Sequence, residues 1–119
     1  MRVMVIVKAT QASEKGVMPT PDLLAAMGKF NQELIAAGVM LDGAGLRPSA
    51  KGVRMHFSGK ERSLTYGPFD NTEPLASGYW LWKVKSLDDA IDWLRRAPMP
   101  DGSDLEIRPL FEMEDFAPA

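Results

Sequence analysis

The fold of this chain is decided at its start, where residues 1–9 read MRVMVIVKA. Successive side chains of a strand point to opposite faces, so the three valines share one face while Met4 and Ile6 share the other. Apolar side chains on both faces are typical of an interior strand that is covered on both sides. Residues 1–9 therefore predict a central strand, and the rest of the chain has to supply its cover.

Two helices carry the apolar side chains that can cover one of those faces. The first is predicted to begin at Thr20, whose hydroxyl suits a helix cap, with Pro21 preset for the first helical position. It is predicted to end before Gly38, where a left-handed cap belongs. Its apolar stripe has helical spacing and consists of Leu23, Met27, Phe30 and Leu34.

The second predicted helix begins after the capping residue Ser86 and is stopped by Pro98. Acidic residues at its start and Arg95-Arg96 at its end both complement the helix dipole. Its predicted apolar stripe consists of Leu87, Ile91 and Leu94.

Alternating apolar residues predict further strands over residues 39–46, 79–85 and 105–110, and a hairpin made of residues 52–57 and 62–66. The order is strand, helix, strand, hairpin, strand, helix, strand. This order predicts an α+β fold, specifically a ferredoxin-like sandwich with an added β-hairpin.

Two helices can cover only one face of such a sheet, so the face away from them, here called the open face, is left bare. Met4, Ile6, Tyr79 and Leu81 are predicted to lie there, and a large uncovered apolar patch is uncommon on a monomer. We expect a second copy of the chain to cover it, giving a homodimer through the open face, with residues 111–119 docked onto the partner as well. The alternative is that the hairpin and the C-terminal residues fold over this face within one chain.

Composition narrows the range of functions. The 119 residues suit one domain, residues 1–119, with residues 111–119 as a C-terminal extension. A formal net charge of -2 argues against a nucleic-acid partner. The chain has no cysteine and one histidine, which excludes a disulfide scaffold, a thiol nucleophile and a cysteine or multi-histidine metal centre within one subunit. We expect no metal and no cofactor.

No stretch matches a secretory signal or a membrane span. The apolar run at residues 3–7 is shorter than the ~7–15 residues that a signal needs and the ~20 that a span needs. The sequence therefore predicts a cytoplasmic protein without a membrane partner.

Four segments resemble one known family in their order and spacing. Residues 31–48 resemble the helix-to-strand region of YCII-related proteins. Residues 66–69 read YGPF, where the DGPF branch of that family has its Asp-Gly-Pro-Phe signature, and residues 106–109 and 111–116 resemble the later part of that branch. The resemblance implies the dimeric α+β barrel superfamily, in which ferredoxin-like sheets pack together through their open faces.

The resemblance implies no particular reaction, because none is established for the DGPF branch. Tyr66 replaces the signature aspartate, and Asp70 and Asn71 also depart from the usual pattern. Some YCII-related proteins have an early His–Asp pair that is proposed as catalytic. No histidine precedes His56 here, so that role does not transfer to this chain.

Imidazole is the side chain that most readily exchanges protons near neutral pH, which makes His56 the candidate general acid–base. Strand alternation places it on the same face as Arg54. Asp42 or Asp70 could orient the imidazole, and Tyr66 could donate a proton. This set suits proton abstraction or elimination on a small cyclic or anionic metabolite. The superfamily that the resemblance implies includes cofactor-free chemistry on small ring compounds, so a cofactor-independent lyase or isomerase is the enzyme hypothesis by that analogy. The alternative is a solvated polar face, since any exposed strand alternates in this way.

The YGPF segment supports two interpretations. It is either a turn that anchors a loop over the sheet, or a lid whose Phe69 lines a pocket together with Tyr79. These two aromatic residues, with Arg47 and Arg54 to neutralise a charge, are the ligand-binding candidates. Two functions therefore stay open: a small ligand-binding, accessory or regulatory domain without chemistry, and the lyase or isomerase.

Overall fold

The structure, a computed structural model, describes residues 1–70 and 75–116. Its strands are β1 (Arg2–Lys8), β2 (Met40–Gly45), β3 (Val53–Ser58), β4 (Glu61–Tyr66), β5 (Ala76–Lys83) and β6 (Leu105–Pro109). Its helices are α1 (Gln11–Glu14), α2 (Pro21–Ala36) and α3 (Leu87–Arg95), with short 3-10 turns at Ser49–Lys51 and Met113–Phe116.

Four strands form the main sheet in the order β2-β5-β1-β6, with every neighbouring pair antiparallel. This is the ferredoxin-like arrangement, and it confirms the α+β prediction. β1 pairs with β5 on one side and β6 on the other, so it is the interior strand that its sequence predicts. β3 and β4 form a separate two-stranded sheet, the added hairpin.

The core lies between the sheet and the two longer helices. Val3 and Val5 of β1 and Trp82 of β5 are fully buried there. Phe30 of α2 meets the edge of Trp80, with ring centroids 5.8 Å apart, and makes a similar contact with Trp82. Edge-to-face contacts of this kind add about 0.5–1.5 kcal/mol to the free energy gained from burial alone. One aromatic cluster therefore joins α2 to the centre of the sheet.

Both ends of α2 are capped by the residues that the sequence predicts. The Thr20 hydroxyl accepts a hydrogen bond from the amide of Leu23 at 3.2 Å, and Pro21 is the first helical residue. After the helix, Gly38 adopts a φ of 73°, the left-handed conformation that glycine reaches at little cost. Thr20 and Gly38 thus fix the two ends of the helix.

The cap of α3 is also the expected one, because the Ser86 hydroxyl accepts from the amide of Asp89 at 3.1 Å. The apolar face of α3 is different from the predicted stripe. Leu87 is 42% exposed, while Ala90 is fully buried and Trp93 packs against the core. Side chains of a helix lean toward its N-terminus, so Leu87, as the first residue of α3, extends beyond the layer that the helix covers.

Two elements lie differently from the sequence prediction. β5 begins at Ala76 rather than at residue 79, because Ala76 pairs with Lys8 and Gly78 pairs with Val7. Ala76 and Gly78 are too small to give the apolar alternation from which a strand is predicted. The single turn α1 was not predicted. It is held by a reciprocal cap in which Thr10 accepts from the amide of Ser13 and Ser13 accepts from the amide of Thr10.

Cross-strand pairing places the four open-face residues side by side. Met4 stands opposite Leu81 and Ile6 opposite Tyr79, all four half-buried. Their neighbours along β1 and β5 point to the opposite face, where the buried core lies. The described part of the chain therefore leaves the centre of the open face incompletely covered.

Candidate functional site

A cavity of about 410 Å³ opens between α2 and the helix-facing side of the sheet. Ligand pockets in proteins have volumes of about 300–1,000 Å³ and are lined chiefly by apolar side chains. The apolar wall here comes from α2, β2, β5 and the segment after α3, with Leu23, Leu24, Met27, Met40, Trp80 and Met99. We take this cavity as the candidate functional site of the described residues.

Three glycines leave space on the sheet side of the cavity. Gly43 pairs with Trp80 and Gly45 pairs with Gly78, so all three glycines are on the helix-facing side of the two strands. A Cβ atom at Gly43 would lie 3.0 Å from the Trp80 ring, whereas one at Gly45 would meet nothing within 4 Å. The backbone of β2 at Gly43 therefore lies close to the apolar indole of Trp80.

Hydroxyl groups and one amide supply the polar part of the wall. Ser13, Ser77 and Ser103 donate to main-chain carbonyl oxygens at 3.0, 3.4 and 2.7 Å respectively. Each oxygen keeps a lone pair that can accept a hydrogen bond. The side-chain oxygen of Asn31 accepts from Nε1 of Trp80 at 2.9 Å, which leaves the amide NH₂ of Asn31 as a donor for a ligand.

Tyr79 is among the residues that line the cavity, but its side chain is directed to the open face, opposite Ile6, where Asp42 holds its hydroxyl. The hydroxyl donates to Oδ2 of Asp42 at 3.1 Å, and Oδ1 of Asp42 accepts from the amide of Gly43 at 2.8 Å. The hydrogen bond to Asp42, together with its negative charge, raises the pKa of Tyr79 above its ordinary value. The structure thus brings together two candidate residues, one from each of two neighbouring strands.

The YGPF segment is anchored on Ser49. The Ser49 hydroxyl accepts from the amide of Phe69 at 3.0 Å and donates to Glu14, whose other carboxylate oxygen accepts from the amide of Ser49 at 2.9 Å. A Cβ atom at Gly67 would lie 1.7 Å from the carbonyl oxygen of Ser49, so only glycine fits there. The Gly67-Pro68 peptide bond is cis. This network supports the interpretation of the segment as an anchored turn.

Phe69 and Arg54, both ligand-binding candidates, contact each other. The guanidinium carbon of Arg54 lies 3.8 Å from the centroid of the Phe69 ring, a cation–π contact. Neither residue is among the described residues that line the cavity. Their contact fixes the base of the hairpin to the anchored turn.

The other candidates are dispersed over the surface. His56 is exposed on the hairpin opposite Ser63, with no hydrogen bond to its imidazole among the described residues. Tyr66 lies on the other face of the same hairpin, so it cannot share a substrate with His56 in one chain. Asp70 and Arg47 are exposed as well. A single chain therefore gives the acid–base hypothesis no geometric support.

The cavity itself was not predicted from the sequence. Asn31 and the serines of the wall are ordinary polar residues in the sequence, and only the structure places them around one space. One signal was available: Gly43 and Gly45 alternate on one predicted strand, and Gly78, just before the next predicted strand, is in phase with Trp80. Small residues opposite a large one on the core side of a sheet indicate missing volume.

The fold and the cavity define a small α+β domain that encloses a ligand-sized apolar space between a helix and an antiparallel sheet. The family model of the YCII-related domain matches residues 1–114. The chain belongs to the YCII-related family, as its resemblance predicted. No curated protein shows a significant match to the chain. Among the described residues, no helix has the length and apolar character needed to cross a membrane. Asn71 and residues 117–119, which enter the predictions above, lie outside the described residues.

Substitution of Gly67 tests the anchored turn. Gly67→Ala forces Ser49 or the turn to move, and overpacking of this kind costs about 1–3 kcal/mol of unfolding free energy. The matched control is Gly28→Ala in α2, where a Cβ meets nothing within 4 Å and alanine should add about 0.5–1 kcal/mol. Urea denaturation measures both variants. Equal stability of Gly67→Ala and the native chain would contradict the anchor.

The Glu14–Ser49 contact predicts a pH dependence. The hydrogen bonds from Ser49 lower the pKa of Glu14 below its ordinary value. A carboxyl with a lower pKa in the folded state adds stability above its unfolded pKa, and this stability is lost as the pH falls through the folded value. We expect Glu14→Gln to reduce the loss of stability below about pH 5, as measured by denaturation at a series of pH values.

The loss of stability at low pH should be reduced rather than abolished in Glu14→Gln. Contacts with Arg108 and Arg2 also lower the pKa values of Glu106 and Glu112 respectively, so these two carboxylates contribute to the same loss. The matched control is Glu61→Gln, whose carboxylate accepts no side-chain hydrogen bond among the described residues. An identical pH profile for Glu14→Gln and Glu61→Gln would sink this explanation.

Proposed function

We propose that this chain is a homodimeric domain that binds one small, largely apolar ligand in the cavity of each subunit. The observation that carries the proposal is the cavity of about 410 Å³, with three glycines on its sheet side and apolar side chains around it. A core that had no ligand to hold would be expected to fill such a space, because protein interiors are close-packed.

The hydrogen-bond inventory indicates the polarity of the ligand. Three serine hydroxyls of the wall already donate to carbonyl groups, so they offer acceptors, while the amide of Asn31 offers donors. Lys8 is the cation among the described lining residues, but its ammonium is paired at 3.2 Å with Glu106, which lies opposite Ile6 on the open face. A neutral ring compound with a hydroxyl group, which both donates and accepts, satisfies this wall better than an anion does.

Binding without chemistry fits this wall better than catalysis. Lys8 and Tyr79 are the titratable residues among the described lining residues, and both side chains are directed to the open face, where each is engaged by a carboxylate. General acid–base chemistry needs a group that can exchange a proton with the substrate. An accessory or regulatory role, in which ligand occupancy is sensed by a partner, is compatible with the same wall.

The homodimer part of the proposal rests on the open face. Met4, Ile6, Tyr79 and Leu81 adjoin one another there, and a two-fold related copy would bury them against themselves. This is the dimeric α+β barrel assembly that the family resemblance implies. Assignment to the DGPF branch is the finer part of the same proposal, and it is supported by residues 66–69 and 111–116. Localisation in the cytoplasm remains a prediction from the sequence.

A cavity-filling variant tests ligand binding. Gly45→Leu adds a side chain on the cavity side of β2, where a Cβ meets nothing within 4 Å. We expect phenol or cyclohexanol to raise the melting temperature of the native chain and benzoate to raise it less. A ligand at 100 times its Kd adds about 2.7 kcal/mol. Gly45→Leu should lose this response, as measured by differential scanning fluorimetry.

The control for this measurement is Gly28→Ala, a glycine replacement in α2 outside the cavity wall, which should respond like the native chain. An equal response of the native chain and Gly45→Leu to every compound would show that the compounds bind elsewhere. A native chain that responds to none of them would count against a site of this polarity.

Substitution on the open face tests the homodimer. Leu81→Asp places a charge at the centre of that face, and burial of an unpaired carboxylate against a second copy is strongly unfavourable. Light scattering after gel filtration should give about twice 13.1 kDa for the native chain and about 13.1 kDa for the variant. Ile35→Asp, on the exposed side of α2, should stay dimeric. A native chain of monomeric mass at high concentration would refute the assembly.

A further inference from the structure

The β3–β4 hairpin has one apolar face that no described residue of the chain covers. Directly paired residues of an antiparallel ladder point to the same side. The register therefore places five apolar side chains together: Val53, Met55, Phe57, Leu64 and Tyr66. Each is between 52% and 74% exposed. We call this surface the hairpin apolar face.

The hairpin has little support of its own. A two-stranded hairpin is at best marginally stable in water, because no second layer packs against it. It extends away from the main sheet, and the radius of gyration of the chain is 16.7 Å, against about 13.5 Å for a compact domain of this length. The described residues of one chain supply no cover for the hairpin apolar face, which makes a second molecule the candidate cover.

A second exposed apolar surface lies at residues 111–116, here called the C-terminal turn. The rings of Phe111 and Phe116 pack with centroids 5.2 Å apart, and with Met113 they are between 69% and 84% exposed. The turn is fixed in place, because the Glu112 carboxylate accepts two hydrogen bonds from the guanidinium of Arg2, at 2.9 and 3.1 Å. It presents an aromatic pair at a defined position beside β1.

The two surfaces have opposite charge. Residues 53–66 contain three cations, Arg54, Lys60 and Arg62, and one anion, which gives a net charge of +2. The C-terminal turn contains three acidic residues and no cation. None of the hairpin cations forms a salt bridge within the part of the chain that the structure describes, and the same holds for Glu114 and Asp115.

A hairpin contact would add to the area buried between two copies of the chain. A stable interface buries about 800 Å² on each partner. Two symmetric contacts of the hairpin with a second copy would contribute to that area beside the open face.

We propose that the hairpin apolar face of one copy receives the C-terminal turn of a second copy, with Phe111 and Phe116 against Met55, Leu64 and their neighbours. Apolar contact supplies the attraction, and the acidic turn is oriented by Arg62, which shares the hairpin apolar face, and by Lys60 in the hairpin turn, whereas Arg54 lies on the other face. The inference rests on the proposed homodimer in needing a second chain, but it names a different surface from the open face.

Cross-linking between two cysteine variants tests this contact, because the native chain has no cysteine. Met55→Cys protein labelled with ¹⁵N is mixed with unlabelled Met113→Cys protein and treated with a short bismaleimide. We expect a cross-linked dimer of mixed isotope composition by mass spectrometry. Its yield should exceed severalfold that from Met55→Cys with Met18→Cys, an exposed methionine between α1 and α2. Phe111→Ala/Phe116→Ala in the Met113→Cys chain should return the yield to that control level.

The cross-link and the mass of the native particle are separate measurements, so the two proposals can fail separately. A dimeric mass with cross-linking only at the control level would overturn the hairpin contact and leave the open-face dimer intact. A cross-link within one chain of the Met55→Cys/Met113→Cys double variant would also overturn it, since the turn would then reach its own hairpin. A severalfold excess of the mixed dimer supports the contact even if the native particle dissociates on gel filtration.

Discussion

The fold depends on a central strand that has apolar side chains on both of its faces. On one face, Val3 and Val5 are buried under the aromatic cluster formed by Phe30, Trp80 and Trp82. That burial positions α2 over the sheet and so determines where the cavity opens. On the other face, no comparable layer completes the burial within the described residues. The same strand therefore accounts for the packing inside the subunit and for the expected assembly outside it.

The local part of the fold could be predicted because its causes lie close together in the sequence. The caps at Thr20, Gly38 and Ser86, the hairpin register and the interior position of β1 all follow from neighbouring residues. Leu87 was wrongly predicted to lie in the buried stripe of α3, because the spacing of apolar residues does not show where the layer beneath a helix ends. The one-turn helix α1 has no apolar periodicity, so only its reciprocal cap could have indicated it.

The candidate site was much harder to predict, because its residues are brought together by long-range packing. The pairing of Tyr79 with Asp42 and of Arg54 with Phe69 joins candidates that the sequence could name but not connect. His56 was a candidate because of its chemistry, yet it lies on a hairpin whose two faces are both exposed. The cavity exists because glycines leave space unfilled between α2 and the sheet. Unfilled space is difficult to recognise in a pattern of residue types.

Trp80 serves the core and the cavity at once: one part of its indole contacts Phe30, and its Nε1 holds Asn31 at the wall. A change at this position would alter folding stability and ligand preference together. Relatives with the same fold would then change their ligand preference through residues at the edge of the cavity, such as the glycines of β2 and the serines around its rim. The indole also gives the protein an intrinsic optical reporter, since its fluorescence depends on whatever occupies the adjoining space.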